Sequence, residues 1–208
     1  QVAYFYGSAG QTGEGILMAE AIGAAVYEKG ARLGMSYVVG DGTNAELTSL
    51  GGPWSQAPIV DNTGVRFVNE YCHSLNYPSL IYRHAAPYYC IYGSDREDYA
   101  AILANNVDDP AVTSADTLEE LADKLGFDKQ AFLDCINAAK DTGVDAAFGA
   151  RVDFMNFATV GPFYAVQIAP QYTGTIGGVV TDTSAQVLRA DGTAIGGLYA
   201  AGEASNGA

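Results

Sequence analysis

Gly174-Thr175-Ile176-Gly177-Gly178-Val179-Val180-Thr181-Asp182, then Ala185-Gln186-Val187-Leu188-Arg189-Ala190-Asp191-Gly192, then Ile195-Gly196-Gly197-Leu198-Tyr199-Ala200-Ala201-Gly202-Glu203, is the stretch on which the fold turns. It reads as strands cut by turns. Residues 177–181 and 185–188 read as short strands, and Ala190-Asp191-Gly192-Thr193 is a hairpin-type turn between strands. Leu198-Tyr199-Ala200-Ala201 then reads as a buried strand that delivers Gly202 and Glu203 to its carboxyl end. In open α/β sheets that end is where ligands bind.

Working upstream, residues 163–168 form another strand, and before them the pattern becomes helical. Thr117 with Glu120 three residues later is a capping-box signature, Leu118, Leu121 and Leu125 supply an apolar face, and Gly126 stops the helix. Asp128 caps a second helix with Phe132, Ile136 and Ala139 inward, ending before Gly143. The aromatic run Tyr88-Tyr89-Cys90-Ile91-Tyr92 predicts a strand closed by Gly93-Ser94-Asp95, and residues 65–68 predict a shorter one. Residues 38–61, rich in Gly, Pro, Asn and Ser around Trp54, read as an irregular loop region. Near the start, a Gly-rich loop over residues 7–15 leads into Ile16, Ala19, Ile22, Gly23 and Val26 at helical spacing. That spacing predicts a helix over 16–29 stopped by Gly30. The order of elements places the chain in the α+β class, with a domain boundary near Tyr37.

The chain has 208 residues, 49% hydrophobic and 16% charged, so it can bury a real core and is not of the low-hydrophobicity, high-charge type that stays disordered. A net charge of -14 with only ten Lys and Arg residues argues against nucleic acid, whose phosphates need cationic neutralisation, and against an anionic membrane surface. No apolar run approaches the roughly 20 residues that cross a bilayer. Three cysteines without a CxxC pair indicate neither a disulfide framework nor a zinc ribbon, and His73 beside Cys72 and His84 before Cys90 fit no usual metal spacing. With no initiator Met, the chain reads as an interior piece of a longer protein whose export signal, if one exists, lies upstream.

The C-terminal stretch resembles the closing half of the fumarate reductase and ketosteroid dehydrogenase flavoproteins. Three further runs match that family in the same order: Gly13-Glu14-Gly15-Ile16 with Ala24 and Ala25; Gly64-Val65-Arg66-Phe67-Val68-Asn69-Glu70; and Thr117-Leu118-Glu119-Glu120-Leu121-Ala122 followed by Pro162-Phe163-Tyr164-Ala165. The resemblance implies a Rossmann-like FAD domain interrupted by a capping domain that closes over the substrate. Residues 1–37 would end the first FAD-domain segment, 38–172 would be the cap, and 173–208 would begin the second FAD-domain segment. It also implies a small-molecule substrate and a separate electron donor.

Within that resemblance, Gly13, Glu14, Gly174, Thr175, Gly177, Gly178, Gly202 and Glu203 are the expected flavin-side residues. Glu203 suits ribityl and ribose hydroxyls because a carboxylate is a strong acceptor for their protons. A lone Gly-Glu would read as a solvated loop, but the surrounding motif weighs the other way. The glycines of 174–178 either let backbone approach the flat isoalloxazine or simply punctuate a tight turn. The loop at Gly10 to Gly15 lacks the Gly-Lys-Ser/Thr ending of a phosphate loop and is not GxGxxG. The tyrosines around residues 77–92 read first as core and second as an aromatic pocket.

Two departures from the family bear on substrate. Fumarate reductases place an arginine proton donor four residues beyond the Asn-Glu pair, where this chain has Ser74, and carry a His-His-Thr run where it has Thr173-Gly174-Thr175. No catalytic residue is assigned, with Tyr172, His73 and Ser74 as candidates, and the expected reaction is hydride transfer between flavin and a carbonyl-conjugated C=C bond of a non-dicarboxylate such as an enone or aryl acrylate, the alternatives being a dicarboxylate reductase and a noncatalytic binding module.

Overall fold

The computed structural model describes residues 4–5, 10–33, 36–40, 57–70, 84–95, 97–138, 147–148, 158–172 and 174–205. The chain divides into two compact units, one made of Gln1–Tyr4 with Gly34–Gln171 and the other of Phe5–Leu33 with Tyr172–Ala208. Both mix helix and sheet, in keeping with an α+β chain.

The larger unit is built around strand β7 (Phe163–Tyr172), which pairs with four others: β1 (Tyr4–Phe5), β3 (Ser36–Val39), β5 (Tyr88–Tyr92) and β6 (Val112–Ala115). β4 (Ile59–Val60) extends the sheet beyond β5. The register is antiparallel, with Cys90 and Val112 both opposite Val166 on its two flanks. Tyr88, Cys90, Tyr92, Tyr164, Val166 and Ile168 bury one face, with Leu103 of helix α2 (Glu97–Ala104) packed there. Ile91, Phe163 and Ala165 bury the other. A sheet covered on both faces needs apolar side chains at successive positions, which is why Tyr88-Tyr89-Cys90-Ile91-Tyr92 shows no polar alternation.

The second face is covered by helices α3 (Leu118–Leu125) and α4 (Lys129–Asn137), whose Leu121, Phe132 and Ile136 are fully buried. Thr117 Oγ1 accepts from the Glu120 amide at 3.1 Å, and Glu120 Oε2 accepts from the amide of Asp116 at 3.2 Å. The capping box therefore reaches one residue further back than the usual reciprocal form. Asp128 caps α4 through the Ala131 amide. Thr117→Ala is expected to cost about 1 kcal/mol, read as a lowered urea midpoint with an unchanged slope.

Residues 65–68 do not form the expected strand. Only a single bridge joins Arg66 to Val60. The cause is local: Asp61 Oδ1 accepts from the amides of Thr63 and Val65, closing a turn, while Arg66 and Glu70 are turned inward. Their ion pair is 2.6 Å long and almost wholly buried. Glu70 also accepts from the Ile59 amide at 2.8 Å, tying the loop to the start of β4. Burial pushes the Glu70 carboxyl above its ordinary value, and Arg66 pulls it back.

In the smaller unit the helix expected over 16–29 is shorter. Helix α1 covers Glu14–Ala21, and β2 (Val26–Leu33) follows it. The break is at Ile22 and Gly23: Gly23 takes a φ of 94°, and the Ala24 amide donates back to Ala19 O at 3.0 Å. Arg189 Nη1 donates to Ile22 O at 3.0 Å and satisfies a carbonyl at that helix end. β2 runs antiparallel to β8 (Gly174–Val179), with Val26 opposite Val179 and Leu33 opposite Gly174. β9 (Gln186–Leu188) and β10 (Ala194–Tyr199) form a hairpin, and Asp191 Oδ1 accepts from the amide and hydroxyl of Thr193 in its turn. Ala19, Ala24, Val179, Val187 and Ile195 make the core of this unit.

Candidate functional site

The smaller unit brings four of the expected flavin-side residues together. β10 ends at Tyr199, and the chain then folds into a 3₁₀ turn over Gly202–Ala204 that lies against β8. A parallel bridge joins Val179 to Ser205. The turn is held by Ser205, whose amide and hydroxyl donate to Gly202 O at 3.0 and 2.9 Å.

Gly178 explains why the approach is so close. Its φ is 136°, and a Cβ built there would meet the backbone of Ala204, with the carbonyl carbon at 2.6 Å, and the Ser205 nitrogen at 3.0 Å. No L side chain fits that position without moving backbone. At Gly174 the neighbour is different: the side chain of Glu203 lies where a Cβ would be, its carboxyl carbon 2.7 Å from that point. The Glu203 carboxylate therefore lies along the bare start of β8. Thr175 and Gly177 belong to the same strand, and Tyr172 closes β7 just before it.

Gly13 and Glu14 take no part in that contact. Gly13 is the N-cap of α1 with φ 76°, and nothing stands within 4 Å of a Cβ built on it or on Gly15. Glu14 occupies the first helical position, where a negative side chain is favoured by the helix dipole. His73 and Ser74 lie outside the described residues. The buried strand expected over Leu198 to Ala201 is displaced to Ala194–Tyr199 and only half-buried: Leu198 and Ala200 pack against the core of this unit, while Tyr199 is 62% exposed.

Sequence reasoning missed Ser205, which is 5% exposed and ties the 3₁₀ turn shut. A small hydroxyl residue soon after Gly202-Glu203 was the available signal.

The glycines at 174 and 178 let Glu203 and the 3₁₀ turn lie close against β8, and the carboxylate placed there can accept hydrogen bonds from hydroxyls. A hydrogen-bond acceptor at this position fits the cofactor's hydroxyls.

Comparison with known proteins leads to the same cofactor. The family model described as FAD binding domain matches residues 3–208. NADH:acrylate oxidoreductase of Vibrio harveyi is 35% identical over 94% of this chain and 20% of its own length. The 3-oxosteroid 1-dehydrogenase of Mycobacterium tuberculosis is 29% identical over 96% of this chain and 42% of its own length. Among solved structures, the open conformation of a flavocytochrome c3 fumarate reductase matches with a TM-score of 0.62 at 29% identity, over 94% of this chain and 35% of that one. A 3-ketosteroid Δ1-dehydrogenase from Sterolibacterium denitrificans shares the fold with a TM-score of 0.74 at 21% identity, over 98% of this chain and 43% of that one. The chain thus spans between a fifth and somewhat over two-fifths of the length of these relatives. With its family model running from residue 3 to its last residue, the chain belongs to the FAD-binding-domain family.

Proposed function

We propose that the protein is an FAD-dependent oxidoreductase that moves hydride between flavin and a C=C bond conjugated to a carbonyl, on a substrate with at most one carboxylate. The observation that carries the reading is the Glu203 carboxylate held against the glycine edge of β8, in a chain of the FAD-binding-domain family. Bound FAD supplies the two-electron chemistry. Glu203 accepts hydrogen bonds from the cofactor's hydroxyls, and the glycines of β8 let the turn that carries it lie close to the strand. Residues 38–172 act as the cap that keeps water from the reacting carbon, while 1–37 and 173–208 belong to the flavin domain. The division of the chain into Phe5–Leu33 with Tyr172–Ala208 and Gly34–Gln171 supports that assignment for most of its length, while Gln1–Tyr4 groups with the larger unit.

The limit of one carboxylate follows from charge. Burying a dianion without fixed positive groups is very unfavourable, so a fumarate site needs Arg or His aimed at both ends. By the resemblance, Ser74 stands where the arginine acid would be, and Thr173 and Gly174 stand where the histidine pair would be. The acrylate oxidoreductase among the relatives is named for a monocarboxylate. The contrary reading, a dicarboxylate reductase, is favoured by the 32% identity to NADH:fumarate oxidoreductase of Klebsiella pneumoniae.

Anaerobic turnover of the full-length protein with a reduced viologen dye separates the two. Enones or aryl acrylates are expected to be reduced and fumarate to be left almost untouched; brisk fumarate reduction without enone activity overturns the substrate assignment. A purified full-length protein with no flavin absorbance points to a noncatalytic module. Glu203→Ala is expected to release FAD on desalting while the apoprotein keeps its melting temperature.

A further inference from the structure

The larger unit holds a recess of about 230 Å³ that takes no part in the proposed flavin contacts. It lies where the C-terminal end of α2 meets β6, the start of β7 and one face of α3, with Asp116, Glu120, Lys124, Ser114 and Tyr164 among its lining residues and Ala104 and Val107 as apolar wall. That volume corresponds to roughly seven or eight waters at about 30 Å³ each, the size of a small metabolite.

Tyr164 is the unusual member. It is 4% exposed, it lines the recess, and its hydroxyl has no hydrogen-bond partner among the described residues. Buried polar groups are nearly always paired, so an unpaired phenol at the wall of a cavity is where water or a bound molecule supplies the partner. Register places Ser114 directly opposite Tyr164 on the paired strands, so both side chains emerge on the same face.

The charges around the recess decide what that molecule is. Glu120 and Lys124 are four residues apart on α3 and share one helix face. Lys124 Nζ already donates to Ser114 O at 2.6 Å, and Glu120 spends Oε2 on the Asp116 amide. What remains is Glu120 Oε1 and the Asp116 carboxylate as acceptors, set against one ammonium. The balance at the recess is one negative charge, in a chain of net charge -14 that draws cations toward it. We propose that this recess binds a small primary-ammonium compound bearing a second polar group: the ammonium between Glu120 and Asp116, and the hydroxyl or carboxylate on Tyr164 and Lys124.

The test uses calorimetric titration of the full-length protein with ethanolamine and glycine, with glycerol and acetate as neutral and anionic controls. Ethanolamine or glycine is expected to bind saturably below about 10 mM. Tyr164→Phe should weaken that binding about fivefold and Glu120→Gln about tenfold, the losses expected for a neutral and a charge-assisted hydrogen bond. Both variants are chosen to fold: Phe keeps the ring in the core, and Gln still accepts from the Asp116 amide. Three outcomes overturn the proposal: no saturable binding of either amine, equal affinity for glycerol or acetate, or unchanged affinity in both variants, which would mean that Tyr164 faces water alone. None of these bears on flavin retention, so the proposal stands or falls separately from the oxidoreductase reading.

Discussion

Arg66→Met is expected to destabilise the protein by about 3–5 kcal/mol, the loss that follows when one partner of a buried ion pair is removed and the other stays charged. The Glu70 side chain has no exposed surface and the Arg66 side chain has 2%. Arg66 holds both oxygens of Glu70, through Nε at 2.9 Å and Nη2 at 2.6 Å. Met approximates the length of the arginine stem but leaves the carboxylate with backbone amides, Ile59 and its own, as hydrogen-bond donors in the core. The pH dependence has a definite sign. Burial raises the folded-state value of Glu70 above its ordinary 4.5, with Arg66 opposing, so the favourable protonation contribution is complete below 4.5 and is lost as pH rises through the folded value. Without Arg66 that value rises further, so the deficit of Arg66→Met should be larger at pH 8 than at pH 5. Arg66→Met combined with Glu70→Gln should recover more than half of the loss, because the neutral amide still accepts from Ile59. Denaturant titrations of the three variants at both pH values decide it, and a deficit independent of pH would contradict the charge argument.

Gly178→Ala and Gly174→Ala should differ sharply although both sit in β8. At Gly178 the substitution forces a non-glycine residue to φ 136° and drives its Cβ into the backbone of Ala204 and Ser205. Strain at such a φ and overpacking together give about 2–5 kcal/mol, and the bridge from Val179 to Ser205 should open. At Gly174 the Cβ meets only the end of a flexible glutamate, which can swing away. That variant should melt near the wild-type temperature while retaining less FAD, because Glu203 is displaced from the strand edge. Thermal melts paired with flavin absorbance of the desalted full-length protein separate the two effects; similar melting temperatures for both variants would count against the close approach at Gly178.

The sequence announced elements wherever one local signal sufficed. Thr117 and Glu120 mark the start of α3, Asp128 marks the start of α4, and the aromatic run at 88–92 coincides with β5. Misreadings came where local and long-range demands compete. Val26 continues the helical spacing set by Ile16 and Ala19, yet it pairs with Val179, more than a hundred residues away, and the chain leaves the helix at Gly23 to make that strand. Residues 65–68 look like a strand by composition, but Arg66 and Glu70 find each other at i and i+4 and draw the segment into a loop. β6 has no strong composition of its own and exists because β7 has a flank for it. At the site, the glycines and Glu203 were legible as a motif. Their physical relation was not, because two reasons for a glycine, a tight turn and a close approach, look identical until Ala204 is seen against Gly178.

The central position of β7 also sets a timetable for synthesis. β3 leaves the ribosome long before its partner, since Val39 pairs with Ile168. At translation rates of about 5–20 residues per second, some 130 residues take roughly 6–26 s to follow. Through that interval the strands awaiting β7 present unsatisfied edges and apolar side chains to their surroundings. The nascent chain therefore depends on being sheltered until residue 172 has emerged, and ribosome stalling upstream of β7 would leave a chain prone to aggregation rather than a smaller folded domain.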